Sequence, residues 1–293
     1  MFAKAYEIAS CFTRPIIISL RFYDKSIECG AAAFVVLNEE GWIITAAHIW
    51  QHSLLYKKHS NEMKKYEEQI KMIEQDHSLT GKQRKKRLKQ IKPNSRWIIN
   101  NSIWCGWDGV SVKDIKVLSE GDVLVGRLEP FKNTMIEKYP VIKDPTKALN
   151  IGTSLCKLGY PLHKIEASFD ETKNTFIIDP DALPLPRFPI DGIYTRNVIG
   201  RQSKDGKYQI KFLETSSPGL RGQSGGPIFD TNGTVWAIQS RTQHFPLGFS
   251  PKVKKNSTEV EENQFLNVGW GIHPEVIVAF LTDNGIKFQL SDY

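Results

Sequence analysis

Gly222-Gln-Ser-Gly-Gly-Pro-Ile-Phe229 is the stretch on which the reading of this chain turns. It places one serine in a glycine-rich turn and follows it with a short apolar run that reads as a strand. Glycines carry no Cβ, so the turn's backbone N–H groups can converge on a negative charge developing beside the serine. Gly222 and Ser224 are the expected donors. A hydroxyl is a weak nucleophile until an imidazole takes its proton, and that imidazole needs a carboxylate to set its tautomer. Two other stretches supply these groups. Trp42-Ile-Ile-Thr-Ala-Ala-His48 delivers a histidine at the end of a strand, and Asp122-Val-Leu-Val-Gly-Arg-Leu128 opens another strand with an acid. Each stretch alone has a bland explanation: a buried strand end, a capped loop, an acid before apolar residues. In the order His48, Asp122, Ser224 they form a candidate triad. Asp108 and Asp114 stay as alternative acids. The other six histidines lack a comparable context and are expected mostly at the surface.

The surrounding sequence reads as short strands separated by turns. The clearest strands are 34–37, 42–45, 123–128, 154–158, 208–213, 227–229, 234–238 and 265–270. Asn38-Glu-Glu-Gly41, Lys204-Asp-Gly206 and Asp230-Thr-Asn-Gly233 supply hairpin-type turns. Many short strands with regular turns point to an all-β barrel or sandwich. A closing helix is expected over 274–282, with a proline in its first turn and Asn284-Gly285 as its stop. The Pro- and charge-rich segment 129–147 reads as a linker.

One segment breaks this pattern. His59, Met63, Tyr66, Ile70 and Ile73 recur at alternating spacings of four and three, the apolar stripe of a helix. Thr80-Gly-Lys-Gln83 matches a capping box opening a second helix before Pro93. Residues 53–92 therefore read as an inserted helical hairpin. Residues 57–92 hold twelve basic and five acidic side chains, so this segment carries the chain's whole net charge of +7. A solvated face on a stripe that packs the two arms together is the plain reading. The cluster Arg84-Lys-Lys-Arg87 makes the arm a candidate dock for an acidic regulatory protein. Nucleic acid is the weaker candidate, because no aromatic side chains interleave the basic ones.

Composition narrows the class further. With 293 residues, 40% hydrophobic and 24% charged, the chain can bury one large core or two smaller ones. Disorder, collagen and low-complexity classes are excluded. No uninterrupted apolar run approaches the roughly 18–20 residues of a membrane span. Glu7 and Arg14 interrupt any apolar secretory segment, and Pro15 to Phe22 reads as a strand instead. The cysteines Cys11, Cys29, Cys105 and Cys156 lack metal-ligand spacing. Reduced thiols in a cytoplasmic protein are the expectation.

The three stretches resemble the histidine, aspartate and nucleophile motifs of the chymotrypsin-fold (trypsin-like) serine proteases, and among them the bacterial HtrA-like protease domain. Leu158-Gly-Tyr-Pro161 and Val268-Gly-Trp-Gly-Ile-His-Pro274 extend the likeness, which covers residues 12–285 outside the insert. It implies two six-stranded antiparallel β-barrels with a triad between them. The first, residues 1–140, would carry His48 and Asp122, with the hairpin inserted at about 53–92. The second, residues 141–293, would carry Ser224 and the terminal helix. The implied activity is a serine endopeptidase acting through an acyl-enzyme, with no metal or organic cofactor. The alternative is a latent or non-catalytic protease-fold protein whose basic arm does the binding.

Two departures bear on regulation. Secreted members have an aspartate before the nucleophile that pairs with a new N-terminus after cleavage; here Gln223 stands there, and no Arg/Lys-Ile-Val-Gly-Gly activation sequence occurs. Ile49 follows His48 where those members place a disulfide cysteine. Both fit an intracellular enzyme that is constitutively assembled or partner-activated, as in a stress or defence module. No PDZ-sized segment follows residue 285, so delivery by such a domain is not expected. For specificity, the pocket-base position falls on Pro218, which supplies no carboxylate for a Lys/Arg preference. Gln239, Ser240 and Arg241 are expected on the strand that receives substrate, Gly269 and Trp270 on a pocket wall, and Arg221 on its rim.

Overall fold

The computed structural model describes residues 1–255 and 258–293. Six strands form the first sheet: β1 (Thr13–Phe22), β2 (Ile27–Val36), β3 (Trp42–Ala46), β4 (Ile98–Cys105), β5 (Ser111–Leu118) and β6 (Val123–Glu129). Its order is β4-β1-β2-β3-β6-β5, antiparallel throughout. The second sheet comprises β7 (Val141–Ile142), β8 (Ser154–Gly159), β11 (Phe188–Gln202), β12 (Gln209–Thr215), β13 (Pro227–Phe229), β14 (Val235–Pro246), β17 (Phe265–Ile272) and β18 (Gln289–Leu290). The pairings β13-β8-β11-β12-β17-β14 return to β13, which closes a six-stranded antiparallel ring. β7 and β18 extend it by short parallel pairings. Two separate hairpins, β9 (Ala167–Asp170) with β10 (Thr175–Ile178) and β15 (Lys252–Lys255) with β16 (Thr258–Glu261), project from the loops. The protein is thus mostly β, in the two-barrel arrangement of a chymotrypsin-like fold.

The near-continuous apolar runs have a direct cause. Successive side chains on a strand point to opposite faces, and here both faces are covered. Phe34, Val36, Ile43 and Leu128 point into the first barrel, together with Ile16 and Ile18. Their neighbours Val35, Leu37, Ile44, Val123 and Val125 point the other way, into a core shared with Phe212, Ile238 and Ile272 of the second sheet. The barrels therefore pack through an apolar seam, and residues at one end of that seam meet from both sides.

Among the described residues four α-helices accompany the sheets. α1 (Ala3–Phe12) buries Ala5, Ala9 and Phe12 completely, in the same core as Cys156, Leu158 and Phe229 of the second sheet. Sequence reading missed this helix. α2 (Gln51–Gln75) and α3 (Gly81–Gln90) form the inserted arm, and the Thr80–Gln83 capping box is present. The stripe on α2 does more than hold the arms together: its first half grips the sheet. The Ile98 N–H donates to His59 Nδ1 at 3.0 Å, Trp97 Nε1 donates to Glu62, and the Tyr66 ring meets Trp97 edge-on. α4 (Pro274–Asp283) packs on the shared core. Its N-cap is His273, whose Nδ1 accepts from the Glu275 N–H. This histidine is 2% exposed, and burial drops its pKa to about 4. It is an interior residue, whereas most of the histidines outside the triad were expected at the surface. Among the described residues no helix is long and apolar enough to cross a membrane.

Candidate active site

His48 lies in a 3-10 turn, Ala47–Trp50, at the end of β3, and α2 continues directly from it. Asp122 immediately precedes β6 and adopts φ +56°. Its backbone carbonyl accepts the Ala47 N–H at 3.0 Å. Its Oδ1 accepts the His48 N–H at 2.9 Å, and its Oδ2 lies 2.9 Å from His48 Nδ1. The same Oδ2 accepts the hydroxyl of Ser240 from the second barrel. Asp122 is 5% exposed. Burial raises its pKa, but the hydrogen bonds and charge of His48 and the bond from Ser240 outweigh that, leaving it below the ordinary carboxylate value. The carboxylate is therefore held ionised against one imidazole nitrogen. The alternative acids lie elsewhere: Asp108 accepts from Trp104 Nε1, and Asp114 pairs with Arg127.

Ser224 faces His48 across a shared cavity of about 260 Å³, lined also by Ile18, Leu20, Ala32 and Arg221. Its hydroxyl donates to the Ser240 carbonyl at 3.5 Å. Among the described residues it makes no bond to His48. The turn around it is tied to both barrels. The Ala33 N–H on β2 donates to the Ser224 carbonyl, and the Gly225 N–H donates to the Gln239 carbonyl on β14. At Gly225 (φ +81°) a Cβ would lie 2.0 Å from Thr45 Oγ1, and at Gly222 (φ +102°) 2.4 Å from the Tyr160 carbonyl oxygen. Both positions need glycine on conformational and steric grounds. Gln223 is fully buried, accepting from Leu220 N and donating to the Phe188 carbonyl. The neutral amide thus braces the turn. The N–H groups of Gly222 and Ser224 have no partner within the described residues, and both residues border the cavity. Unpaired donors beside a nucleophile are what an oxyanion requires.

The remaining expected residues lie around the Ser224 turn, Arg221 in the cavity with His48 and Ser240 against Asp122. The Gln239 N–H and carbonyl bond the Gly226 carbonyl and the Gly225 N–H; beyond it the edge of β14 opposite β17 has no strand partner among the described residues, so Ser240 and Arg241 begin an open edge that an extended peptide could join. Gln239 is buried; its Nε2 donates to the Arg241 and Trp270 carbonyls, while its Oε1 has no partner. Arg241 is exposed and lies over the Phe212 ring, and Arg221 is exposed at the cavity rim. Trp270 stacks on Phe212 and donates to Glu214. Pro218 contributes only its carbonyl, which accepts from Lys157 Nζ. Lys157 was not singled out by the sequence. It lies on β8, is 1% exposed, and also donates to the carbonyl and hydroxyl of Ser217. At Gly269 a Cβ would lie 2.7 Å from its Nζ. The available signal was a single lysine within the apolar strand Ser154-Leu-Cys-Lys-Leu-Gly159.

Burial pushes the Lys157 pKa down to about 7. Between that value and the ordinary lysine value, the unfolded chain binds a proton that the folded chain does not. Stability should therefore rise from pH 7 to about 10, by at most roughly 1.4 kcal/mol per pH unit. Replacing Lys157 with Met should flatten this slope in urea melts taken across that range. An unchanged slope would remove Lys157 as its source.

All four cysteines are free. No group of three or more metal-ligating side chains converges among the described residues. No model of a known protein family matches the chain, and no curated protein matches it. Among solved structures, the HtrA-type protease AlgW with a tripeptide is similar to 97% of this chain at 11% sequence identity, with a TM-score of 0.49. The chain spans 63% of the length of that structure.

Proposed function

We propose that this protein is a serine endopeptidase working through an acyl-enzyme. The observation that carries this reading is the hydrogen-bonded series Ser240–Asp122–His48, whose His48 lines one cavity with Ser224 and Gly222, residues whose N–H groups have no partner among the described residues. In this mechanism Asp122 keeps the proton of His48 on Nδ1, so Nε2 is free to take the Ser224 proton. The hydroxyl rotates from the Ser240 carbonyl toward His48 and attacks the substrate carbonyl carbon. The oxyanion then forms against the Gly222 and Ser224 N–H groups. His48 returns the proton to the leaving amine, and water repeats the sequence to release the acyl group.

The resting bond from Ser224 to Ser240 favours a second reading, a latent enzyme that a partner switches on. The basic arm supports a dock for such a partner, because α2 grows directly from the turn that holds His48. An intracellular setting accords with both readings. Labelling with a fluorophosphonate separates them. The folded chain should label at Ser224, and the label should disappear in both Ser224→Ala and His48→Ala. A well-folded chain that resists the probe would overturn the active reading and support the latent one.

A further inference from the structure

Among the residues lining the cavity shared by His48 and Ser224, one is out of keeping with its element. Gly30 lies inside β2, where a glycine weakens a strand because it loses more backbone freedom and packs no side chain. Its φ is outside the left-handed region, and a Cβ there would meet nothing within 4 Å. Neither backbone conformation nor crowding calls for glycine at this position, in contrast to Gly222 and Gly225. Gly30 pairs with Ile18 on β1, and directly opposed residues of an antiparallel pair project to the same face. Ile18 lines the cavity, so a side chain at position 30 would stand beside it and fill that space. The missing side chain keeps the cavity open.

The leaving amine of a cleaved peptide must lie beside the acid that protonates it, and in the proposed mechanism that acid is His48. The first residue past the scissile bond therefore belongs on the side of Ser224 that His48 occupies. The cavity walls there come from β1, β2 and the turn that carries His48: Ile18, Leu20, Ala32 and Ile49 are all buried and apolar. We propose that this cavity receives the side chain of the residue immediately after the scissile bond and selects a large apolar one, such as phenylalanine or leucine. This rests on Ser224 being the nucleophile and His48 its base. At about 260 Å³ the space falls short of the roughly 300–1,000 Å³ of pockets that enclose whole small ligands, and it suits one side chain. The charged groups at its rim do not reverse the preference. Burial and the neighbouring charges of His48 and Arg221 lower the His52 pKa, so near neutral pH that imidazole adds a ring and no charge. Arg221 is exposed, and a cation in water holds a carboxylate only weakly. Glu28 is already matched by Arg96, so it does not call for a basic side chain.

The test follows the ¹³C-methyl signals of isoleucine in the parent chain at neutral pH, while the α-amides of phenylalanine, leucine, aspartate and glycine are titrated in as mimics of the leaving residue. The phenylalanine and leucine amides should shift Ile18 and Ile49 and bind at least about tenfold tighter than the glycine amide, the scale of burying one large apolar side chain. Gly30→Val puts a β-branched residue into a strand, which suits that backbone. It should abolish the difference, and Gly30→Ala should reduce it if the valine variant folds poorly. No shift at Ile18 or Ile49 with millimolar amide, aspartate amide binding as tightly as phenylalanine amide, or a preference untouched by both substitutions would overturn the proposal. Fluorophosphonate labelling of the parent chain, run beside it, keeps the two readings apart. A chain that labels at Ser224 but shows no apolar preference loses only this inference. A chain that shows the preference but resists the probe loses only the peptidase reading.

Discussion

Ser224→Ala should lower kcat for peptide hydrolysis by about 10⁶, and adding His48→Ala should lower it hardly further. In the proposed mechanism the hydroxyl and the imidazole act as one device: without the base, the Ser224 proton has nowhere to go, and without the hydroxyl the base has nothing to activate. Their losses therefore do not add. Activity that remains should come from the two N–H donors and from substrate positioning, because neither substitution touches the bonds that shape the turn. Those bonds run from Ala33 N to the Ser224 carbonyl and from Gly225 N to the Gln239 carbonyl, all backbone atoms. Melting temperatures should accordingly stay close to the parent. A double variant far slower than either single one would mean the two residues act separately. Residual turnover near the parent rate would remove them from the chemistry.

Asp122→Asn should cost roughly 10⁴ in kcat with little loss of fold. Asp122 receives three donors through its carboxylate: the His48 N–H, His48 Nδ1 and the Ser240 hydroxyl. An amide can keep one oxygen among them but must turn its NH₂ toward another. Facing Nδ1, that NH₂ favours the tautomer with the proton on Nε2, the nitrogen that must accept from Ser224. The bond from Ala47 N to the Asp122 backbone carbonyl survives, so the strand end stays in place. The carboxylate also links to pH. Its folded pKa lies below the unfolded value, so its contribution to stability is present above about pH 4 and is lost as pH falls through the folded pKa. The Asn variant should lose that part of the acid dependence. Steady-state kinetics and acid melts read both effects; kcat within tenfold of the parent would dismiss Asp122 from its role.

Much of this protein is legible in short stretches. The runs at 34–37, 42–45 and 123–128 show their strands because residues on both faces are apolar, and the turns show themselves by glycine and asparagine at positions that need them. The hairpin at 53–92 is readable from helical spacing and the Thr80–Gln83 cap, all within a few turns of helix. The candidate triad is readable as three local patterns in order. The α1 helix escaped because its apolar side, Ala5, Ala9 and Phe12, is made mostly of small residues that earn helical status by packing on the second sheet. His273 was misplaced for a similar reason: nothing nearby in the chain shows that α4 and β12 enclose it.

Separation in the chain marks where such reading stops. The bond between Ser240 and Asp122 joins residues 118 apart, and the contact of Lys157 with Ser217 joins residues 60 apart. Strand periodicity, turn chemistry and helix caps are set by neighbours within a few residues, so the amino-acid order displays the elements and the types of group available for chemistry. Which hydroxyl steadies the carboxylate, which N–H groups stay unpaired and which ammonium is buried without an anion depend on how the barrels meet. Those choices belong to the tertiary structure, because desolvation and hydrogen-bond partnership are properties of surroundings assembled from distant segments.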